Sequence, residues 1–153
     1  MSVAALYNWL MFGHVLAAMV WLGGTAVLGL LAAQTIRHKE PGSLARFAAT
    51  IGFVGPRLLA PATVLVAGLG AGLVLDGREW QFGQFWIDLA IGLFAAVLVI
   101  GAGFQSRAAI GAQRAIADRD TDQAARQVRR WAWGALVILL LLVVITWDMT
   151  VKP

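Results

Sequence analysis

The sequence predicts an all-α fold, a four-helix transmembrane bundle with both termini on the outer side. Three observations carry this. Charged residues make up 13% of the 153 and hydrophobic ones 60%, whereas a soluble domain carries about 25% charged residues. Apolar runs near the length of a membrane span, about 20 residues, occur four times, at about 6–33, 58–75, 85–104 and 131–147. The basic residues gather between these runs rather than within them. At this length a single integral membrane domain over 1–153 is the natural reading.

The first run has no basic residue ahead of it and is longer than the core of a signal peptide, so it is predicted to stay as a span. After it, Glu40-Pro41-Gly42-Ser43 breaks the helix. Ser43 is expected to cap a short amphipathic segment with Leu44, Phe47 and Ile51 on one side, either lying along the membrane or opening span two. Pro56 and Pro61 make the start of span two irregular. Gly68, Gly70 and Gly72 allow close helix contact, with Gly68 and Gly72 forming a small-residue face. Gly101 and Gly103 are expected to do the same in span three. The stretch from Arg107 to Arg130 is rich in Ala, Arg and Gln and should extend spans three and four as helices. Asp118-Arg119-Asp120-Thr121-Asp122 reads as the turn between them, with Asp120 or Thr121 as cap.

Charge placement sets the orientation. Arg37, Lys39, Arg46 and Arg57 lie between spans one and two. Arg107, Arg114, Arg119, Arg126, Arg129 and Arg130 lie between spans three and four. Of the 12 basic residues only Arg78 and Lys152 lie elsewhere. The positive-inside rule puts both basic loops in the cytoplasm and both termini in the periplasm. Tyr7, Trp9, Trp80, Trp86 and Trp147 then mark the outer interface, and Trp131 and Trp133 the inner one. The net charge of +4 is membrane-flanking charge, which argues for lipid contact and against nucleic acid. For the second loop's arginines the readings are anionic-lipid binding and plain solvated charge. The chain has no cysteine, which excludes disulfides, thiolate metal sites, iron–sulfur clusters and cysteine nucleophiles.

His14 is the ionisable residue set deepest in any span. It lies about five residues, or roughly 7–8 Å, inward from Trp9. An ionisable group at that depth is a functional-site hypothesis by default. Tyr7, Met11, His14, Ala18, Trp21 and Thr25 fall on one helical stripe. One reading makes His14 a haem ligand, with Ala17 and Ala18 leaving room and Trp21 stacking on a flat macrocycle. Another makes it a metal ligand with Met11, and with Met149 beyond span four, since histidine and thioether donors suit copper(I). A third makes it a neutral histidine hydrogen-bonded between helices. His38 reads as a solvated loop residue near the opposite face, so a bis-histidine haem needs His14 from two chains. The outer surface is expected to carry Asn8, Asp76, Glu79, Asp88 and Asp148, with Asp88 as an acceptor for His14. There is no Ser-His-Asp order, phosphate-binding glycine loop or paired membrane carboxylate, so no catalytic residue is assigned.

The segment Tyr7-Asn8-Trp9-Leu10-Met11-Phe12-Gly13-His14-Val15, followed by Trp21-Leu22-Gly23-Gly24, resembles a known group. Arg57-Leu58-Leu59-Ala60-Pro61-Ala62 with Gly68, and the ending Thr150-Val151-Lys152-Pro153, extend the likeness over most of the chain. The group is the membrane superfamily containing the copper-resistance D (CopD) domain, the HemJ-type protoporphyrinogen oxidases and small uncharacterised bacterial integral membrane proteins. The resemblance implies a four-helix bundle of the bacterial inner membrane whose first-helix histidine faces inward. In the HemJ-type branch it implies haem binding and porphyrinogen oxidation. That branch has a lysine one turn before the histidine, where this chain has Met11. It also has a lysine after a third-helix tryptophan, where this chain has Ile87 and Asp88 after Trp86. The uncharacterised branch is the closer match. The expectation is a haem- or redox-associated membrane protein binding haem b through His14. The alternatives are a copper-handling protein, a divergent protoporphyrinogen oxidase, and an accessory subunit that forms a homo-oligomer or joins a larger complex.

Overall fold

The protein's structure, a computed structural model, describes residues 3–38, 40–76 and 84–151. Among them every element is helical. The helices are α1 (Val3–His38), α2 (Pro41–Val54), α3 (Ala60–Asp76), α4 (Phe85–Leu98), α5 (Ser106–Ala117) and α6 (Thr121–Val151). Helix α2 runs into α3 through a π-helical turn at Gly55–Leu59, and α4 into α5 through another at Val99–Gln105. The chain thus makes four long rods, each apolar and long enough to cross a membrane. Lys39, Arg78, Glu79, Trp80 and Lys152, placed above by sequence, lie outside the described residues.

The first π turn has a visible cause. Pro56 and Pro61 each lack an N–H, and each ring crowds the carbonyl four residues earlier. Widening the turn lets the Ala60 amide reach the Gly55 carbonyl instead. The segment expected either on the membrane surface or at the head of span two is therefore the head of span two. Ser43 does not cap it. Glu40 is the N-cap residue, Pro41 takes the first helical position, and the Ser43 hydroxyl donates to the Glu40 carbonyl at 2.8 Å. In the second π turn the Ser106 hydroxyl donates to the Gly101 carbonyl at 3.0 Å.

The turn between α5 and α6 follows the sequence closely. Asp120 Oδ1 accepts the Gln123 amide at 2.8 Å, capping α6. The Asp120 and Arg119 amides return to the Ala115 and Ile116 carbonyls, which closes a Schellman motif. Arg119 takes the left-handed position at φ 58° that glycine usually fills.

The rods pack differently at their two ends. At the end carrying the two short turns, α1, α2, α5 and α6 close into a bundle. Its core joins Leu28, Leu44, Phe47 and Ile51 to Ala112, Ala124, Val128 and Trp131. Trp131, expected at the interface, is instead packed edge-on against Phe47 with ring centroids 5.5 Å apart. It sits on the inward stripe of α6, while Trp133 is exposed. At the end carrying the termini the backbones form an open row, α3–α1–α6–α4, in which α3 approaches α1 alone and α4 approaches α6 alone. Trp21 fills the gap. It is 5% exposed, meets Phe94 edge-on with centroids 5.7 Å apart, and clusters with Ala62, Val97, Ile138 and Leu142.

Candidate functional site

His14 sits on α1 where α3 crosses it. Its Nδ1 donates to the Val66 carbonyl at 3.1 Å. A carbonyl only accepts, so Nδ1 carries the hydrogen. In the uncharged ring Nε2 then keeps its lone pair. This bond takes the place of the one expected to Asp88. Gly70, one turn after Val66, makes room for it: a Cβ there would stand 3.1 Å from His14 Cε1. Gly70 and Gly72 form the contact face on α3, the latter against Leu10, while Gly68 meets nothing within 4 Å and faces outward. In the expected pairing of Gly68 with Gly72, Gly70 takes the place of Gly68, two residues or slightly more than half a turn away. Gly103 likewise meets nothing, and Gly101 only touches Ile138.

The residues grouped around His14 by sequence part company in three dimensions. Ala17 and Trp21 are enclosed by neighbouring helices, Ala18 is half-buried, and Met11 is exposed. Met149 is exposed near the end of α6. His38 closes α1 about 36 Å from His14 at 1.5 Å per residue. Among the described residues no three His, Asp or Glu side chains gather to hold a metal ion. The His14 ring has one nitrogen tied to a carbonyl, an arrangement that metal-binding imidazoles usually share.

The tie itself recurs. Gln113 Nε2 donates to the Ala48 carbonyl at 3.3 Å and lies against Gly52, one turn on. Gln105 Nε2 donates to the Trp131 carbonyl at 3.4 Å and packs on Gly134. In all three, a side-chain donor crosses to a carbonyl of the facing helix beside a glycine that admits it. Where lipid removes the hydrophobic drive between helices, such bonds and close contacts hold them together.

Asp148, expected on the outer surface, is instead fully buried, and neither carboxylate oxygen has a hydrogen-bond partner among the described residues. The other two buried polar residues, Thr25 and Thr35, return their hydroxyls to carbonyls one turn back at 2.8 Å. Ala124, Val128, Trp131, Ala135, Ile138 and Leu142 recur at alternating four- and three-residue spacing, the core stripe of α6. Asp148 lies six residues beyond Leu142, off that stripe, so the spacing gives no signal of its burial. Packing of Gly29 on Ala135 sets the register of α1 against α6. Carried along both helices, it puts Asp148 level with Leu16 and Ala17, about 10 Å inward of Trp9. Asn8 and Asp88 are exposed as expected, and the side chains of Asp76 and Glu79 lie outside the described residues.

The termini end thus holds two polar groups at membrane depth, one imidazole with a free lone pair and one enclosed carboxylate. No curated protein and no solved structure matches the chain. A family match runs over residues 8–153, nearly the full length and including both groups. The chain belongs to the family described as "Predicted integral membrane protein (DUF2269)".

Proposed function

We propose that this is a haem-associated protein of the bacterial inner membrane, in which His14 would hold the iron. The basic end would lie in the cytoplasm and the termini in the periplasm. One observation carries the ligand reading: the Nδ1 bond to the Val66 carbonyl fixes the ring and leaves Nε2 as the donor nitrogen. The resemblance of the first span to the CopD and HemJ-type superfamily supports it. A bound haem would supply one-electron chemistry. The chain's part is to hold the iron through His14, to fix the ring through Val66, and to leave Ala18 open beside it. A second histidine ligand would come from a second copy, because His38 lies at the far end of α1.

The test is the absorption spectrum of the full-length protein made with ample haem. A Soret band that shifts on dithionite reduction and is lost in His14→Ala but kept in His38→Ala supports the reading. A colourless wild type contradicts it. Retained copper that is lost in Met11→Leu would transfer the site to copper handling. For the orientation, alkaline phosphatase fused after Pro153 should be active and a fusion near Ser43 inactive; the reverse pattern overturns it.

A second reading is favoured by Gln113 and Gln105, which make the same tie with no ligand role. In that reading His14 only joins α1 to α3, and the protein is an accessory subunit of a larger membrane complex. His14→Gln separates the two, since glutamine keeps an amide donor but offers no imidazole.

A further inference from the structure

At the basic end a cavity of about 260 Å³ opens between the last two turns of α1 and the first turns of α2. Leu31 and Phe47 supply its apolar lining, and Gln34, His38 and Arg46 stand at its polar side. The hydroxyls around it are already engaged. Thr35 bonds the Leu31 carbonyl, Thr50 the Arg46 carbonyl and Ser43 the Glu40 carbonyl. The side chains of Gln34, His38 and Arg46 make no hydrogen bond or ion pair among the described residues.

Arg46 is folded back over the start of its own helix, with one guanidinium nitrogen 3.6 Å from where a Gly42 Cβ would stand. That is the positive end of the α2 dipole, and the N-cap residue Glu40 makes no side-chain cap bond. Glu40 sets a carboxylate at that helix start but forms no ion pair with Arg46 among the described residues, so the guanidinium donors are open to an added anion. Depth identifies the anion's surroundings. The Gly29–Ala135 contact puts Trp133 level with residue 31 of α1. From Trp9 to that level is some 22 residues, about 33 Å, close to the ~30 Å hydrocarbon core. Gln34 and His38 stand roughly 4–10 Å beyond it, in the headgroup zone.

We propose that this cavity binds a phosphate group carried by an anionic phospholipid or a soluble phosphate ester. Arg46 and His38 take the phosphate oxygens in charge-assisted or neutral bonds, Gln34 takes a headgroup hydroxyl, and Leu31 and Phe47 line the side nearest the acyl chains. The site is independent of His14 and of any haem.

Full-length protein in neutral detergent is melted with phosphatidylglycerol, phosphatidylcholine or glycerol 3-phosphate. Phosphatidylglycerol should raise Tm by several degrees, and phosphatidylcholine by less than half as much. Arg46→Gln should melt like wild type without lipid, because the Arg46 side chain makes no bond among the described residues, and should bind phosphatidylglycerol at least tenfold more weakly. Arg126→Gln, exposed on the other basic turn, should bind it as wild type does. An Arg46-dependent shift from glycerol 3-phosphate that equals the lipid's supports the site and assigns it a soluble ester. Should Arg46→Gln misfold, Gln34→Ala and His38→Ala decide, with a threefold or greater loss expected in each. Equal losses in Arg46→Gln and Arg126→Gln, or no phosphate-dependent shift, overturn the proposal.

Discussion

The two ends of this bundle are built from the same four rods, yet one is closed and the other is a row. At the basic end α1, α2, α5 and α6 enclose a core of alanines around Phe47 and Trp131, with Arg107, Arg114 and Arg126 on the outside. At the termini end α3 leans on α1 alone and α4 on α6 alone. The solvent accounts for the difference. Helix α1 has 36 residues, about 54 Å, which exceeds the ~40–45 Å of a whole bilayer. The overhang is greatest at the basic end of α6, whose start at Thr121 lies about 18 Å beyond the Trp133 level, where water drives apolar faces together. In lipid that drive vanishes, and exposed Val64, Leu65 and Leu75 of α3 need no protein partner. The contacts that join α1 and α3 there include the His14–Val66 bond, Leu69 against Gly13, the close contacts of Gly70 and Gly72, and the wedge of Trp21. Both π turns fall in the middle of their rods, where closed packing gives way to open.

The comparison is most easily broken by enlarging holes. Phe47→Ala in the closed end should lose about 3–5 kcal/mol. Trp21→Ala should lose less, although tryptophan is larger, because a lipid or detergent chain can enter between α3 and α4. Chemical denaturation in mixed micelles checks this, and equal or reversed losses would mean the termini end is as sealed as the basic one.

Asp148 gives the next effect, with the opposite sign. A buried polar group left without a partner costs about 1–3 kcal/mol. Asp148→Leu should therefore raise Tm by several degrees, and Asp148→Asn by less. A variant that melts earlier would mean the carboxylate is satisfied by something the bundle recruits.

How much of this was legible depended on whether one element or two decided it. The four long apolar helices and the Asp118–Asp122 turn follow from local composition and spacing and stand as expected, and of the two candidate caps Asp120 is the one used. Ser43 against Glu40 was a contest between neighbouring caps, settled by Pro41 fitting the first helical position. Trp131 reads as an interface residue until the stripe from Ala124 to Leu142 shows it facing inward. Asp148 lies six residues beyond Leu142, off that stripe, so only the packed helices show it enclosed. Gly70 and Gly68 are alike in sequence, and only the rotation of α3 against α1, pinned by His14, tells them apart. The split into closed and open ends needed every helix pair at once.

Smaller effects sharpen the picture at single residues. Gly70→Ala should displace the His14 ring and lose about 1 kcal/mol, whereas Gly68→Leu should melt as wild type, since it faces open space. A loss in the Gly68 variant would mean that α3 has a partner not seen in one chain. Arg119→Gly should gain up to about 1 kcal/mol by relieving the left-handed backbone at the α5–α6 turn. Urea unfolding of the purified protein reads both.

His14 decides what the open end is for. The direct measurement is the absorption spectrum and melting temperature of wild type and His14→Gln, each made with ample haem. Wild type should show a Soret band and His14→Gln none, and the variant should melt within a few degrees of haem-free wild type. A variant as coloured as wild type, or a wild type with no band at all, would contradict the haem reading and leave His14 as a tie between two helices.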